Sequence, residues 1–238
     1  MEFKKLSIIV PVFNEERTLS QLISAVEDAP LEMEKELIII DDCSSDGSRD
    51  VLLKYKDKHK VFLLNKNQGK GTAVRTGFQK ATGDIMLIQD ADMEYNPYEY
   101  SALIKPIIDG KADVVYGSRF IKTNGRRNNK IVYKHGYLFS KALNWLSNVL
   151  SGANLSDMYT CYKVFSRNSI DKICPRLVSK RFGIDPELTA WTAKLNFKIT
   201  EVPISYIGRT YGEGKKINWK DGVAAIYHIV RFNLFARK

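Results

Sequence analysis

The chain has 238 residues, of which 44% are apolar, and a formal net charge of +10. This length and apolar content allow a sizeable core within one domain and exclude an intrinsically disordered chain. Its three cysteines and three histidines are scattered, which disfavours a zinc site, and no signal peptide opens the sequence, so we expect a protein of the reducing cytoplasm.

The first third of the chain alternates short apolar runs with helical segments. The apolar runs lie at residues 6–10, 37–40, 61–64 and 85–88. Between the first two, Leu19, Leu22, Ile23 and Val26 recur at helical spacing. Apolar strands separated by helices predict an α/β fold with a mostly parallel central sheet and helices on both faces.

Polar residues follow each of these four strands, at residues 11–15, 41–42, 67–71 and 90–94. The carboxyl ends of parallel strands meet at one edge of the sheet, where such sheets bind ligands. We therefore expect the four loops to form one crevice. The third loop lacks the spacing of a phosphate-binding P-loop, and its glycines predict a turn that lets a helix begin close to a ligand.

The fourth loop carries Asp90, Asp92 and Glu94. Carboxylate oxygens suit Mg²⁺ or Mn²⁺, and magnesium sites use one or two carboxylates together with waters and substrate phosphates. The loop is therefore a candidate metal site. Taken alone, the Asp-x-Asp pattern fits a solvated acidic loop equally well.

The second half of the chain carries most of the positive charge. Between Asp113 and Asp157 it has seven basic residues and no acidic one, a pattern that predicts phosphates, anionic lipid or nucleic acid as partners. Residues 137–150 place Leu138, Leu143 and Leu146 on one helical stripe, with Asn144 on the opposite face. Such a stripe predicts core packing or, as the alternative, a membrane-surface helix.

No apolar run approaches the roughly 20 residues that cross a bilayer. We therefore expect any membrane contact to be peripheral, or to be made through a membrane partner protein. The final segment, from Trp219 to Phe235, is apolar on most faces.

Eight motifs run in family order along the chain, at residues 11–15, 41–47, 67–71, 90–92, 117–119, 157–163, 201–204 and 208–215. On these motifs the chain resembles glycosyltransferase family two, and within it the dolichyl-phosphate mannose synthase-like branch of polyprenyl-phosphate sugar transferases. The resemblance implies the A-type glycosyltransferase fold, a nucleotide-sugar donor, Mg²⁺ or Mn²⁺ as cofactor, and inversion at the anomeric carbon.

The resemblance also implies site residues. The residues that match the base and ribose pocket, the phosphate floor and its neighbouring loop are Pro11, Phe13, Glu15, Asp42, Lys70, Asp90 and Ala91. The implied metal ligands are Asp92 and Glu94, and the implied cationic clamp on the phosphates is Arg119, Arg209 and Lys215. Relatives often have Gln at the position of Glu94, and several carry transmembrane helices after the catalytic domain.

The main catalytic task is to stabilise the leaving group, because the departing nucleoside diphosphate is negatively charged and needs positive charge beside it. A lipid phosphate acceptor is already ionised and needs no general base. Asp92, Asp157 and Arg119 are the predicted catalytic residues. Asp157 is either the acid nearest the reacting centre or a carboxylate that orients the clamp.

The predicted function is therefore metal-dependent, inverting transfer of a sugar from a UDP- or GDP-sugar to polyprenyl or dolichyl phosphate, on the cytoplasmic face of a membrane. The alternative is a transferase of the same fold with a saccharide or other hydroxyl acceptor. A nucleic-acid-binding module is disfavoured because the acidic crevice would repel a polyanion. We expect a catalytic domain over residues 1–215, with donor and acceptor halves at 1–120 and 121–215, and a helical segment at 216–238.

Overall fold

A computed structural model describes residues 3–122, 129–130, 134–209 and 219–236. The strands in chain order are β1 (Lys5–Val12), β2 (Glu34–Asp41), β3 (Lys60–Leu63), β4 (Ile85–Ile88), β5 (Val114–Ser118), β6 (Asn129–Lys130), β7 (Lys163–Ser166), β8 (Ile199–Pro203) and β9 (Tyr206–Ile207). The helices are α1 (Glu16–Asp28), α2 (Ser48–Leu53), α3 (Lys70–Lys80), α4 (Tyr100–Ile108), α5 (Lys134–Ser151), α6 (Arg167–Ile173), α7 (Ile184–Lys194) and α8 (Trp219–Val230).

Seven strands form one sheet in the order β3-β2-β1-β4-β7-β5-β8, and β6 pairs with β9 in a separate two-stranded ladder. Within the seven-stranded sheet β7 runs antiparallel to β4 and β5, and the other pairings are parallel. The mostly parallel sheet that the sequence predicts is confirmed. Its antiparallel strand follows a long excursion of the chain through α5.

The central strands are apolar on both faces because the sheet is covered. Ile9 of β1 pairs with Ile38 of β2 and Ile88 of β4, and all three side chains are buried. Helix α1 packs its buried stripe of Leu19, Leu22, Ile23 and Val26 into the same core. Burial of both faces leaves the carboxyl ends of the strands as the place where polar loops emerge.

The predicted boundary between the two halves, at residue 120, falls between β5 and β7 in the chain. These two strands are hydrogen-bonded neighbours in the sheet. The division into halves therefore stays a prediction about function, since both halves contribute strands to one sheet.

Helix α5 buries only part of the stripe that the sequence predicts. Leu143 is buried, but Leu138 and Val149 are 64% and 60% exposed, whereas Asn144, predicted on the opposite face, is only 8% exposed. The reason is a hydrogen-bonded contact with a distant segment. Asn144 Nδ2 donates to the Leu155 carbonyl, and Asn144 Oδ1 accepts the Met158 N–H at 2.8 Å. Hydrogen bonds to the backbone of residues 155–158 thus allow the polar face of α5 that carries Asn144 to be buried.

Helix α8 packs against α5 through a small cluster that contains Leu143, Ala225 and Ile229. Gly222 permits close approach, because a Cβ atom there would lie 2.7 Å from the Phe139 ring. A π-helical turn, Arg231–Phe235, continues α8. Among the described helices, none combines the length and the apolar character that crossing a membrane requires.

Candidate active site

The four polar loops at the carboxyl ends of the first four strands are bonded to one another. The Asn14 N–H donates to Ser44 Oγ at 2.9 Å, which ties the first loop to the second. Thr18 at the start of α1 donates from Oγ1 to the Ala91 carbonyl at 2.8 Å, which ties the first to the fourth. The loops predicted to meet at one edge of the sheet therefore lie together, and we call the region between them the crevice.

Asp42 joins the second loop to the third. Its carboxylate accepts the Gln68 N–H at 2.7 Å and the Gly69 N–H at 2.6 Å, and the residue is 2% exposed. The adjacent Asp41 accepts from Arg49 Nε at 2.7 Å. Both acids thus hold the loops of the crevice in place through hydrogen bonds within the protein. A direct contact of Asp42 with a nucleotide stays a prediction.

The third loop approaches another part of the chain closely. Gly69 has a φ of +92°, and a Cβ atom there would lie 2.6 Å from the Lys180 carbonyl oxygen. A Cβ atom at Gly71 would lie 2.5 Å from the Ser179 carbonyl oxygen. The Thr72 N–H donates to the Lys180 carbonyl at 3.1 Å. The sequence predicted that these glycines let a helix begin close to a ligand. In the structure both glycines lie against the backbone of residues 179–181, and Gly69 also lies against the Arg181 side chain.

Lys70, at the start of α3, forms a buried ion pair with Asp90. Lys70 Nζ lies 2.7 Å from Asp90 Oδ1 and 2.9 Å from Oδ2. Burial opposes both charges, but each partner outweighs it, so the pKa of Lys70 is raised and that of Asp90 is lowered. The pair holds both side chains ionised and in place at the crevice floor.

Arg209 lies among three acids that come from two loops. Its Nη1 and Nη2 atoms donate to the Glu15 carboxylate at 3.0 and 3.2 Å, and Nη2 also donates to Asp92 Oδ2 at 3.1 Å. Its backbone N–H donates to Glu94 Oε1 at 2.7 Å. The structure thus brings together three acids and one arginine that the sequence predicts for the site.

This acidic cluster holds more negative than positive charge. Burial, together with the neighbouring Asp90 and Glu94, raises the pKa of Asp92 to about 7, although Arg209 opposes the shift. In the described part of the chain, no three acidic, histidine or cysteine side chains are arranged to hold a metal by themselves. A site of the magnesium type needs only one or two carboxylates when phosphates and water complete it, and Asp92 fits that requirement.

Glu94 also anchors the chain around β9. Its Oε2 accepts from the Tyr206 hydroxyl at 2.8 Å while Oε1 accepts the Arg209 N–H. The Ile207 N–H donates to the Glu94 carbonyl at 3.0 Å. A metal that bound Glu94 would compete with these hydrogen bonds, and its ligation by Glu94 stays a prediction.

Arg119 and Asp157 form a second arginine–carboxylate cluster. Arg119 Nε and Nη2 donate to the two Asp157 oxygens at 2.7 and 2.8 Å, and the Arg119 N–H adds a bond of 3.0 Å. Asp157 is 1% exposed. Of the two roles considered for Asp157, this geometry favours the one in which the carboxylate orients an arginine.

The remaining predicted residues lie around these clusters. Phe13 is partly exposed on the first loop, Pro11 is half-buried in β1, and Ala91 is buried beneath the fourth loop. Lys215 lies outside the described residues.

Sequence reasoning missed Asp185 and the role of Glu201. Asp185 Oδ1 lies 2.5 Å from Nζ of the fully buried Lys163, and its charge raises the pKa of Lys70 further. Glu201 accepts the Ser156 and Asp157 N–H groups at 2.8 and 3.0 Å and so sets the turn that carries Asp157. Residues 183–187, with two acids around a proline at a helix start, carry the signal that could have indicated Asp185.

Comparisons with known proteins agree with this architecture. Residues 7–174 match the model of Glycosyl transferase family 2. An undecaprenyl-phosphate 4-deoxy-4-formamido-L-arabinose transferase of Proteus mirabilis is 30% identical over 220 residues, which cover 90% of this chain and 63% of that protein. This chain therefore spans less than two thirds of that relative. An uncharacterized protein of Methanocaldococcus jannaschii is 25% identical, with 97% and 93% of the two chains covered.

A solved structure extends the similarity to the whole fold. Glucosyl-3-phosphoglycerate synthase from Mycobacterium tuberculosis, in complex with Mn²⁺, UDP and phosphoglyceric acid, superposes with a TM-score of 0.74 at 17% identity. The match covers 99% of this chain and 80% of that one. The A-type glycosyltransferase fold predicted from the sequence is confirmed. The family match over residues 7–174 shows that the chain belongs to glycosyl transferase family 2.

Proposed function

We propose that the protein transfers a sugar from a nucleotide-sugar, with a UDP- or GDP-linked donor, to a polyprenyl or dolichyl phosphate, with inversion and with Mg²⁺ or Mn²⁺. The observation that carries the proposal is the pair of partly buried arginine–carboxylate clusters, around Arg119 and Arg209, beside the acidic crevice. They put cations where two phosphorylated substrates would have to meet. The relative from Proteus mirabilis, whose name specifies an undecaprenyl-phosphate acceptor, supports the choice of acceptor.

The charged side chains of the crevice suit a nucleotide-sugar donor and its divalent cation. Asp92, with Glu94 beside it, would hold the divalent cation, whose positive charge supports departure of the diphosphate when it is bound. Lys70 holds Asp90 ionised at the crevice floor. Arg209, half-buried at the mouth of the same cluster, would donate to the diphosphate oxygens.

The acceptor assignment follows from the way Arg119 is held. Asp157 fixes the guanidinium with two hydrogen bonds, and the Tyr206 ring lies 5.0 Å from Arg119 Cζ. A preorganised arginine is suited to a phosphate, which attacks as an anion without a general base. A hydroxyl acceptor would instead require a carboxylate available as a base, and both Asp157 oxygens accept bonds from Arg119.

We propose further that the protein works at the cytoplasmic face of a membrane, directly or through a membrane partner. Helices α5 and α8 pack on one another, and both expose apolar side chains, including Trp145 and Leu138 on α5 and Val223 and Tyr227 on α8. Between Asp113 and Asp157 the sequence has seven basic residues and no acidic one. Arg119 is held by Asp157, and near an anionic surface each of the other six would contribute about 1 kcal/mol.

A product assay tests the central proposal. The full chain is incubated with Mn²⁺ and with UDP- or GDP-sugars, each paired with undecaprenyl phosphate, with dolichyl phosphate, or with soluble saccharide acceptors. We expect a lipid-linked sugar phosphate with one nucleotide class and no glycosylated saccharide. Donor hydrolysis without lipid product, or saccharide glycosylation, would favour the hydroxyl-acceptor alternative.

Liposome sedimentation tests the membrane proposal separately. We expect the protein to sediment with anionic vesicles at low salt, and to be released at high salt because ions screen the attraction. Changing Arg126, Arg127 and Lys130 to Ser should weaken sedimentation. Equal sedimentation with neutral and anionic vesicles, or none with either, would instead assign lipid delivery to a partner protein.

A further inference from the structure

Arg209 is held in the crevice by two separate sets of contacts. Its guanidinium donates to Glu15 at 3.0 and 3.2 Å and to Asp92 Oδ2 at 3.1 Å, and its Nε lies 3.9 Å from Glu94 Oε1, a distance that allows an ion pair without a hydrogen bond. Its backbone N–H donates to Glu94 Oε1 at 2.7 Å, and the Ile207 N–H bonds the Glu94 carbonyl. Because the backbone anchor does not use the guanidinium, the side chain can leave the acids while the main chain of Arg209 stays in place.

The carboxylate of Asp92 is already divided between two partners. Its Oδ1 accepts the Glu94 N–H at 3.2 Å, and its Oδ2 accepts Arg209 Nη2. A divalent cation on Oδ2 would stand next to a guanidinium bonded to the same atom, and two cations at that distance repel strongly in a partly buried site. Metal ligation by Asp92 Oδ2 and the Asp92–Arg209 ion pair therefore weaken one another.

We propose that Arg209 and the divalent cation compete for Asp92, and that binding of the nucleoside diphosphate donor exchanges them. The cation takes Asp92 together with the diphosphate, and the guanidinium moves from Asp92 to a diphosphate oxygen. The exchange breaks and forms ion pairs only. It rests on the proposed function in one respect, the nucleoside diphosphate donor.

The exchange couples the binding of metal and donor. The metal alone must displace Arg209 from Asp92 and leaves the guanidinium with fewer carboxylate contacts, chiefly those to Glu15, whereas the metal with the diphosphate provides new oxygens for the guanidinium. Metal binding is therefore weak without a diphosphate and tight with one. Removal of the Arg209 charge should narrow this difference, because the metal no longer competes with the guanidinium when the diphosphate is absent.

Binding of Mn²⁺ to the full chain, followed by the electron paramagnetic resonance signal of the free ion, tests the exchange without any turnover. Without nucleotide, Arg209→Gln should bind Mn²⁺ at least ~10-fold more tightly than the wild type. With UDP present the gain should shrink or reverse, because the variant has lost a diphosphate contact. Arg176→Gln is the matched control. It removes the same charge from an exposed residue that donates to the Lys172 carbonyl at 2.6 Å, and should stay within about twofold of the wild type.

Unchanged or weaker Mn²⁺ affinity in folded Arg209→Gln, without nucleotide, would overturn the exchange. Should that variant not fold, Arg209→Lys serves as the second test. One ammonium cannot pair with Glu15 and Asp92 as a guanidinium does, so Mn²⁺ should bind roughly threefold more tightly than to the wild type. Equal affinity would again reject the proposal.

The outcome is independent of the acceptor. A protein that makes lipid-linked sugar but shows no gain in Mn²⁺ affinity on Arg209→Gln rejects the exchange and keeps the proposed function. A protein that shows the gain but makes no lipid product keeps the exchange and rejects the acceptor.

Discussion

Two arginine–carboxylate clusters lie in the crevice and differ in their balance of charge. Arg119 faces one carboxylate, Asp157, and satisfies both of its oxygens. Arg209 bonds to Glu15 and Asp92 through its guanidinium and to Glu94 through its backbone. Tyr206 connects the two clusters, because its hydroxyl donates to Glu94 and its ring lies beside Arg119.

The difference shows how the same residue types serve two purposes. In the Arg119–Asp157 cluster the charges cancel, so the pair is suited to hold the arginine in position. In the Arg209 cluster one cation faces several acids, and the pKa of Asp92 is raised to about 7, chiefly by burial and by its acidic neighbours. A cluster with surplus negative charge is suited to receive a further cation.

The largest effect is expected from breaking the balanced cluster. Asp157→Ala leaves the Arg119 guanidinium buried without its carboxylate, and should lower the free energy of unfolding by about 3–5 kcal/mol. Urea denaturation measures this loss. Asp109→Ala, which removes an exposed acid paired with Lys105 and Lys111, is the control and should unfold close to the wild type. A loss for Asp157→Ala below about 1 kcal/mol would show that the cluster does not stabilise the fold.

In the Arg209 cluster, where acids outnumber cations, we expect a substitution to lower activity without lowering stability. Asp92→Ala removes the proposed metal ligand, and should lower kcat by about 10²–10³-fold, as loss of one preorganised group does elsewhere. Its stability at pH 8 should not fall below that of the wild type, because the change removes an acid whose ionisation burial disfavours. Asp50→Ala on α2 is the control for activity. Full turnover by Asp92→Ala would reject its assignment.

Glu36 lies outside the crevice, and both oxygens of its carboxylate accept hydrogen bonds. Burial raises its pKa, but bonds from Lys60, Ser7 and Thr82 outweigh burial and lower the pKa to about 2. Because the folded-state pKa is depressed, its contribution is complete above the ordinary value of 4.5 and is lost as the pH falls toward about 2.

Glu36→Gln should therefore cost roughly 2 kcal/mol at neutral pH, with an allowance for solvent screening. The gap between variant and wild type should close between pH 4.5 and about 2, as followed by urea denaturation at several pH values. A gap that did not change with pH would show that the charge of Glu36 contributes nothing.

The parts of the molecule that were predictable from sequence are those determined by local pattern. Apolar runs such as residues 85–88 indicated buried strands, and their order placed Asp90 and Asp92 at the crevice. The inward face of α5 was not predictable, because Asn144 is buried by backbone groups from residues 155–158. Hydrophobicity alone carries no information about that contact.

The pairing of charges was also beyond sequence pattern. The residue types indicated acids for a metal and arginines for phosphates, but not that Arg209 bonds to Glu15, which is 194 residues away in the chain. Asp157 was assigned two equal roles because its partner depended on the fold. Long-range ion pairs of this kind require the tertiary structure.

Metal dependence of transfer tests the central claim most directly. Purified protein is freed of metal with EDTA, supplied with the donor and polyprenyl phosphate identified in the product assay, and then titrated with Mn²⁺ or Mg²⁺. We expect product formation to fall by at least ~10²-fold without metal and to return fully on titration, while Asp92→Ala stays inactive at every metal concentration. Undiminished transfer in EDTA would contradict the assignment of the acidic cluster as the metal site.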